Sequence, residues 1–234
     1  MRIAMWSGPR NLSTALMYAF GARGDCAIVD EPFYAAFLRQ TGAGHPMAAD
    51  VIAAHETDPL RVAEMCLAAP PAGQSFTYMK HMPHHMVPGF PLAWAETCEN
   101  AHLIRHPARV IASYAAKQTE ITAADISYDR QLEIWRMFGG PVISSKTIRA
   151  DPARALSALC VALGIPFQAS MLHWPAGGRP EDGVWAAHWY AAVHASTGFA
   201  GPEGPLPKIA PKYQHLLDAA MPAYETLRAA EIRP

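Results

Sequence analysis

The sequence predicts an α/β protein with a mostly parallel, buried central sheet. Five short runs rich in apolar, β-branched or aromatic residues recur through the first two-thirds of the chain. Helix-compatible segments lie between them, and two of the runs break directly into a turn that opens a helix. The first run, Arg2–Trp6, stops at Gly8-Pro9, and a helical pattern follows from Leu12 to Arg23. Cys26–Val29 is the second run and ends in Asp30-Glu31-Pro32. A helical segment, Pro59–Ala69, precedes the third run, Phe76–Lys80. The fourth, Ala101–Arg105, leads into a helix over Pro107–Lys117, and a further helix spans Tyr128–Phe138. Val142–Ser145 is the fifth run. Pro152–Leu163 then places Leu156, Leu159, Cys160 and Leu163 at helical spacing, with Gly164 and Pro166 as the stop.

The texture changes after Pro166. Residues 168–212 are rich in Gly, Pro and Trp, with one helical stretch, Val184–Ala195, and a Pro-rich piece, Gly201–Pro211. They read as an irregular cover over the sheet. A C-terminal helix follows within 214–231, where Pro222 marks a kink or restart. No internal repeat is visible, and the length favours one domain over 1–234.

Composition narrows the function. The chain is 51% hydrophobic and 17% charged, against a usual ~25%, with a net charge of −1. That excludes a disordered chain, and it leaves no bulk field with which to grip nucleic acid or anionic lipid. An anionic partner has to be held by a few placed groups. The four cysteines (Cys26, Cys66, Cys98, Cys160) have no CxxC or other metal spacing and read as reduced thiols. The opening MRIAMWSGPR has no apolar core long enough for a signal peptide, and no apolar stretch is long enough to span a bilayer. The expected compartment is the cytoplasm.

Two segments share one grammar. Trp6-Ser7-Gly8-Pro9-Arg10-Asn11-Leu12-Ser13-Thr14 is strand, turn, helix. Such a turn aims free backbone N–H groups at one point, with the helix dipole behind them, while Arg10 adds charge and the two hydroxyls add donors. The plainer alternative is an ordinary capped βα turn. The segment is not a Walker A loop, since the second glycine and the lysine before Ser/Thr are missing. His102-Leu103-Ile104-Arg105-His106-Pro107 repeats the pattern, with Pro107 suited to the first helical position and Ser113 two turns further on. Two arginine-bearing turns at the carboxyl ends of strands predict a small ligand with two separated anionic groups.

The combination resembles the sulfotransferase superfamily, whose members use 3′-phosphoadenosine-5′-phosphosulfate (PAPS) as donor. SGPRNLST is similar to that family's 5′-phosphosulfate loop, and LIRHPARVIASY to its 3′-phosphate segment. SSKTIRADPARALSALCVALGIPF is similar to its downstream strand–helix unit, so the resemblance spans roughly residues 1–167. It implies a P-loop-NTPase-like three-layer sandwich. It also implies that residues Gly8, Pro9, Arg10, Asn11, Leu12, Ser13 and Thr14 cradle the 5′ end of PAPS, with Arg105 and Ser113 on the 3′-phosphate. Arg10 is then a catalytic charge stabiliser as well.

The acceptor implied is a small molecule, and no metal is expected, because a sulfuryl group carries less charge than a phosphoryl group. Two candidates stand for the base. Glu31 follows the second strand, where some bacterial sulfotransferases place a catalytic glutamate. His81 lies in Lys80-His81-Met82-Pro83, which looks like the family's Lys-x-His-x-Pro segment shortened by one residue, with Lys80 as a charge stabiliser. His81, His84 and His85 do not read as a metal site, because Pro83 and Pro88 prevent a continuous helix through them. Trp185, His188 and Trp189 read first as a packing face, and Lys208 and Lys212 as solvated side chains within reach of a 3′-phosphate. The rival readings are a nucleotide-dependent phosphotransferase on the same fold and a non-catalytic binding module.

Overall fold

The computed structural model describes residues 1–116 and 120–234. Five strands form one sheet in the order β2–β3–β1–β4–β5: β1 Arg2–Ser7, β2 Cys26–Asp30, β3 Phe76–His81, β4 Glu99–Ile104 and β5 Val142–Ser144. Every neighbouring pair is parallel. The expected α/β class with a parallel sheet is therefore found. From β1 the chain passes to the edge at β2 and returns to β3 beside β1, then crosses to the other side for β4 and β5. A crevice opens where that direction reverses, at the carboxyl end of β1, which is where open α/β sheets bind ligands.

The helices between the strands are α1 Ser13–Gly21, α2 Tyr34–Thr41, α3 Ala48–Ala54, α4 Pro59–Cys66, α5 Pro107–Ala115, α6 Ala123–Ile126 and α7 Tyr128–Phe138. After β5 come α8 Ser145–Ala150, α9 Pro152–Ala162, α10 Ala186–Trp189, α11 Ala191–His194 and α12 Gln214–Ala229. The last residue of the expected helix Pro107–Lys117 lies outside the described residues.

Strand alternation builds two cores. β1 sends Ile3 and Met5 to a core that includes Leu16, Phe20, Tyr78 and Leu159, and sends Ala4 and Trp6 to one with Phe33, Met79 and Trp94. Fully burying side chains of this size is worth roughly 1.5–3 kcal/mol each, so this period-two pattern fixes the register.

Residues 34–54, for which no element is expected from the sequence, contain α2 and α3. Two expectations need correction. The single helix expected over Val184–Ala195 is two short ones meeting at Tyr190, whose backbone has left helical geometry (φ −102°, ψ 7°). α12 runs unbroken through Pro222. Proline offers no N–H to the Asp218 carbonyl, but Leu216, Ala220, Ala223, Tyr224 and Leu227 bury one face of α12 in a third core, which outweighs the lost bond.

Candidate active site

The turn after β1 is shaped by its own backbone. Arg10 (φ 60°) and Leu12 (φ 82°) both adopt left-handed conformations. The Gln131 amide donates to the carbonyls of Trp6 and Leu103 at 3.1 Å each, and Asn11 Nδ2 donates to Leu103 at 3.3 Å, which ties the turn to β4. A Cβ on Gly8 would lie 3.0 Å from the Ile126 carbonyl oxygen. The glycine is therefore required by close approach of the chain to itself, and Gly8 is not on the cavity wall. α1 then begins with no side-chain cap, so the N–H groups of its first turn keep their capacity to bind an anion.

The second turn locks onto the first. His106 Nδ1 accepts from the Ala108 N–H at 3.2 Å and caps α5, with Pro107 in the first helical position. Arg105 Nη1 donates to the Arg10 carbonyl at 2.9 Å, and Arg10 Nε donates to Ser113 Oγ at 3.0 Å. Burial and the neighbouring Arg105 charge both lower the Arg10 pKa below its ordinary value.

A cavity of about 300 Å³ lies over these turns. Pro9, Arg10, Asn11, Leu12, Ser13 and Thr14 line it, with Arg105, Ser113, Glu31 and Lys80. His81 does not. It follows Lys80 in β3 and points to the other face of the sheet, where its ring sits 4.8 Å from Trp6 and 4.6 Å from Trp94. Burial there holds its pKa down to about 3, so the ring is neutral and remote from the cavity.

The floor under β2 and β3 is a buried charge cluster. Asp30 and Lys80 are direct register partners. Lys80 Nζ donates to Asp30 Oδ1 at 3.0 Å and to Glu31 Oε1 at 2.6 Å, and it also contacts the Tyr190 hydroxyl. That hydroxyl donates to Asp30 Oδ2 at 2.7 Å and accepts from Trp185 Nε1 at 3.0 Å. Lys80 and Asp30 side chains are 1% and 0% exposed, and Glu31 is 11%, which makes it the carboxylate that meets the cavity. Burial raises the Glu31 pKa; Lys80 opposes the rise and Asp30 adds to it. Burial works against the Lys80 ammonium, but the two carboxylates outweigh it and hold its pKa above the ordinary value.

Beyond Glu31 the wall is aromatic. The His85 ring stacks on Tyr34 at 4.6 Å, and the Tyr34 hydroxyl lies 2.9 Å from His45 Nδ1. Burial lowers the pKa of His45, of His85 and of His84, the last to about 3. Among the described residues no group of three or more His, Cys, Asp or Glu side chains is arranged to hold a metal.

Tyr190, Arg149 and Glu203 belong to this site and were not singled out in the sequence as polar groups for it. Arg149 lines the cavity, while Glu203 lies behind it and reaches Arg105, Arg109 and Arg149. No local pattern marks these residues, because each is brought in from a distant segment. Lys208 and Lys212 do not line the cavity, and the Lys212 ammonium lies over the Tyr213 ring.

A family model described as Sulfotransferase domain matches residues 1–231. The fold is similar to the sulfotransferase domain from the curacin biosynthetic pathway, with a TM-score of 0.53 and 17% identity over 94% of this chain and 96% of that one. It is also similar to mouse sulfotransferase SULT7A1 complexed with PAP, with a TM-score of 0.58 and 14% identity over 98% of this chain and 87% of that one. Two Arabidopsis thaliana proteins, branched-chain-amino-acid aminotransferase-like proteins 1 and 2, are 36% and 35% identical over 233 and 232 residues. Each match takes in 97% of this chain, which spans 41% of the length of either relative. No helix among the described residues is long and apolar enough to cross a membrane. A family model matching nearly the whole chain, on a parallel sheet of sulfotransferase type, decides the assignment: the chain belongs to the sulfotransferase-domain family.

Proposed function

We propose that the chain moves a sulfuryl group from PAPS to a hydroxyl or amine of a small acceptor. The observation that carries this reading is the meeting, on one cavity, of the uncapped α1 N-terminus, Arg10, Arg105 and Ser113 with a partly exposed glutamate held by a buried lysine. The donor's 5′ end would lie on the N–H groups of residues 10–14 and its 3′-phosphate toward Arg105. Glu31 is the base in this reading, and Oε2, the oxygen not bonded to Lys80, is the atom that takes the acceptor proton. As the acceptor oxygen bonds to sulfur, the sulfur–oxygen bond to the 5′-phosphate breaks and 3′-phosphoadenosine-5′-phosphate (PAP) leaves. Arg10 stabilises the charge that develops on the departing oxygen. A raised Glu31 pKa makes it a stronger base than a solvated glutamate, while Lys80 keeps its ionised form accessible.

The acceptor end of the cavity, with Tyr34, His45, His84, His85, Trp189 and Val193, supports a small acceptor with an apolar or aromatic body, because the imidazoles there are held neutral. A phosphotransferase on the same fold needs a phosphate-loop lysine. None stands in this loop, and Lys80 is committed to Asp30 and Glu31.

Calorimetry with PAP, ATP and 5′-AMP tests the reading. PAP is expected to bind selectively, and transfer of labelled sulfate from PAPS to one member of a hydroxyl and amine panel completes the test. Equal indifference to PAP and AMP overturns it. Selective PAP binding with no transfer to any acceptor favours the non-catalytic binding module.

A further inference from the structure

Behind the cavity, the chain presents one of its own carboxylates to a cluster of arginines. Glu203 accepts from Arg105 Nε at 2.8 Å and from Ser145 Oγ at 3.2 Å, and it pairs with Arg109 Nε at 2.9 Å and Arg149 Nη1 at 3.7 Å. Three guanidinium groups thus converge on one carboxylate, an excess of positive charge in a site where Glu203 is only 2% exposed. The segment that carries it differs from its anchor. Residues 200–206 have no helix or strand, and Gly201, Pro202, Gly204, Pro205 and Leu206 are all exposed. Its other ties are backbone carbonyls: Gly201 accepts from Arg149 Nε at 2.7 Å, and Gly204 accepts from Arg109. Arg105 and Arg149 also line the cavity, so the cluster forms the wall between the cavity and the strap.

We infer that Glu203 is a built-in competitor for the donor's 3′-phosphate: it occupies Arg105, Arg109 and Arg149 in the ligand-free protein and is displaced when PAPS binds. This rests on the PAPS reading above. A phosphate monoester brings up to two negative charges and three acceptor oxygens to three arginines, where a carboxylate brings one charge and two oxygens. The exchange is intramolecular, so the strap competes at a high effective concentration and reduces the apparent affinity for any ligand that must displace it. A nucleotide without a 3′-phosphate gains nothing from the exchange. Glu203 therefore lowers the affinity for the 3′-phosphorylated donor and leaves that for a nucleotide without the phosphate unaltered. The release of one anchor on an exposed, irregular segment is the kind of opening that costs least in a folded domain.

The wild type and Glu203→Gln are titrated calorimetrically with PAP and with 5′-AMP, and cleavage after Glu203 by a glutamate-specific protease is followed in the wild type with and without saturating PAP. The expected results are PAP binding about tenfold tighter in the variant with AMP unchanged, and faster wild-type cleavage after Glu203 when PAP is bound. Unchanged or weaker PAP binding by a folded Glu203→Gln would overturn the inference and leave the PAPS reading standing. Slower or unaltered cleavage after Glu203 in PAP-saturated wild type also overturns it, and this needs no variant to fold. Failure of the wild type to prefer PAP over AMP removes both.

Discussion

Two clusters of cations and carboxylates stand at the carboxyl edge of the same sheet, and they are balanced in opposite directions. At β2 and β3 one cation, Lys80, serves two carboxylates, with Lys80 and Asp30 buried against Tyr190, and Glu31 meeting the cavity. Beyond β4, three arginines serve one carboxylate, Glu203, delivered by an exposed strap. Burial raises the pKa of Glu31, the most accessible carboxylate, and Asp30 adds to the rise against Lys80, which suits proton removal. An excess of arginine beside a cavity suits a polyvalent anion. On the proposed reading, that difference in balance sets acceptor chemistry at one end and donor recognition at the other.

Variants that reverse either balance test that division. The largest effect is expected from Glu31→Gln, which keeps the shape and removes the proposed base. Sulfate transfer should fall roughly 10²–10⁴-fold in kcat, while calorimetry should show PAP affinity little altered. Equal loss of binding and turnover would break the assignment. Next is Arg105→Ala. Losing one charge-assisted contact of about 1.5–3 kcal/mol should weaken PAP roughly 10–100-fold and leave AMP nearly untouched, whereas Arg10→Ala should act mainly on kcat.

The smallest effect is a displacement on the pH axis. Glu31 must be ionised to accept a proton, so its raised pKa places the acid limb of kcat/KM at higher pH than an ordinary glutamate would. Asp30 contributes to that rise, and Asp30→Asn should move the limb to lower pH. A limb that stays put would detach Glu31 from the reaction.

Much of this was legible in the chain. All five strands were located to within a residue or two, because each pairs a run of β-favouring side chains with a sharp stop, and the helix opening at Pro107 follows from proline's fixed φ. Tyr128–Phe138 has the expected bounds. What escaped was tertiary. Lys80 and His81 were both kept as site candidates, yet neighbours on a strand face opposite ways, so period-two reasoning alone allowed only one of them onto the cavity. Tyr190 reaches Asp30 across 160 positions and Glu203 reaches Arg105 across 98, and no local pattern encodes such meetings. In the Pro-rich segment the sequence sets Lys208 and Lys212 within reach of a 3′-phosphate, whereas the side chain that meets Arg105 is Glu203.

Left-handed backbone at non-glycine residues is confined, among the described residues, to five positions, and Arg10, Leu12 and Glu31 are three of them. Each costs on the order of 1 kcal/mol that a glycine would not incur. Selection for heat resistance and selection for turnover should therefore pull these positions apart. A library enriched only for survival at high temperature will drift toward glycine or asparagine at 10, and will lose the guanidinium as it gains degrees. A library enriched for sulfate transfer will hold arginine there and recover its losses in the cores. The cavity is where this protein would be expected to trade durability for work.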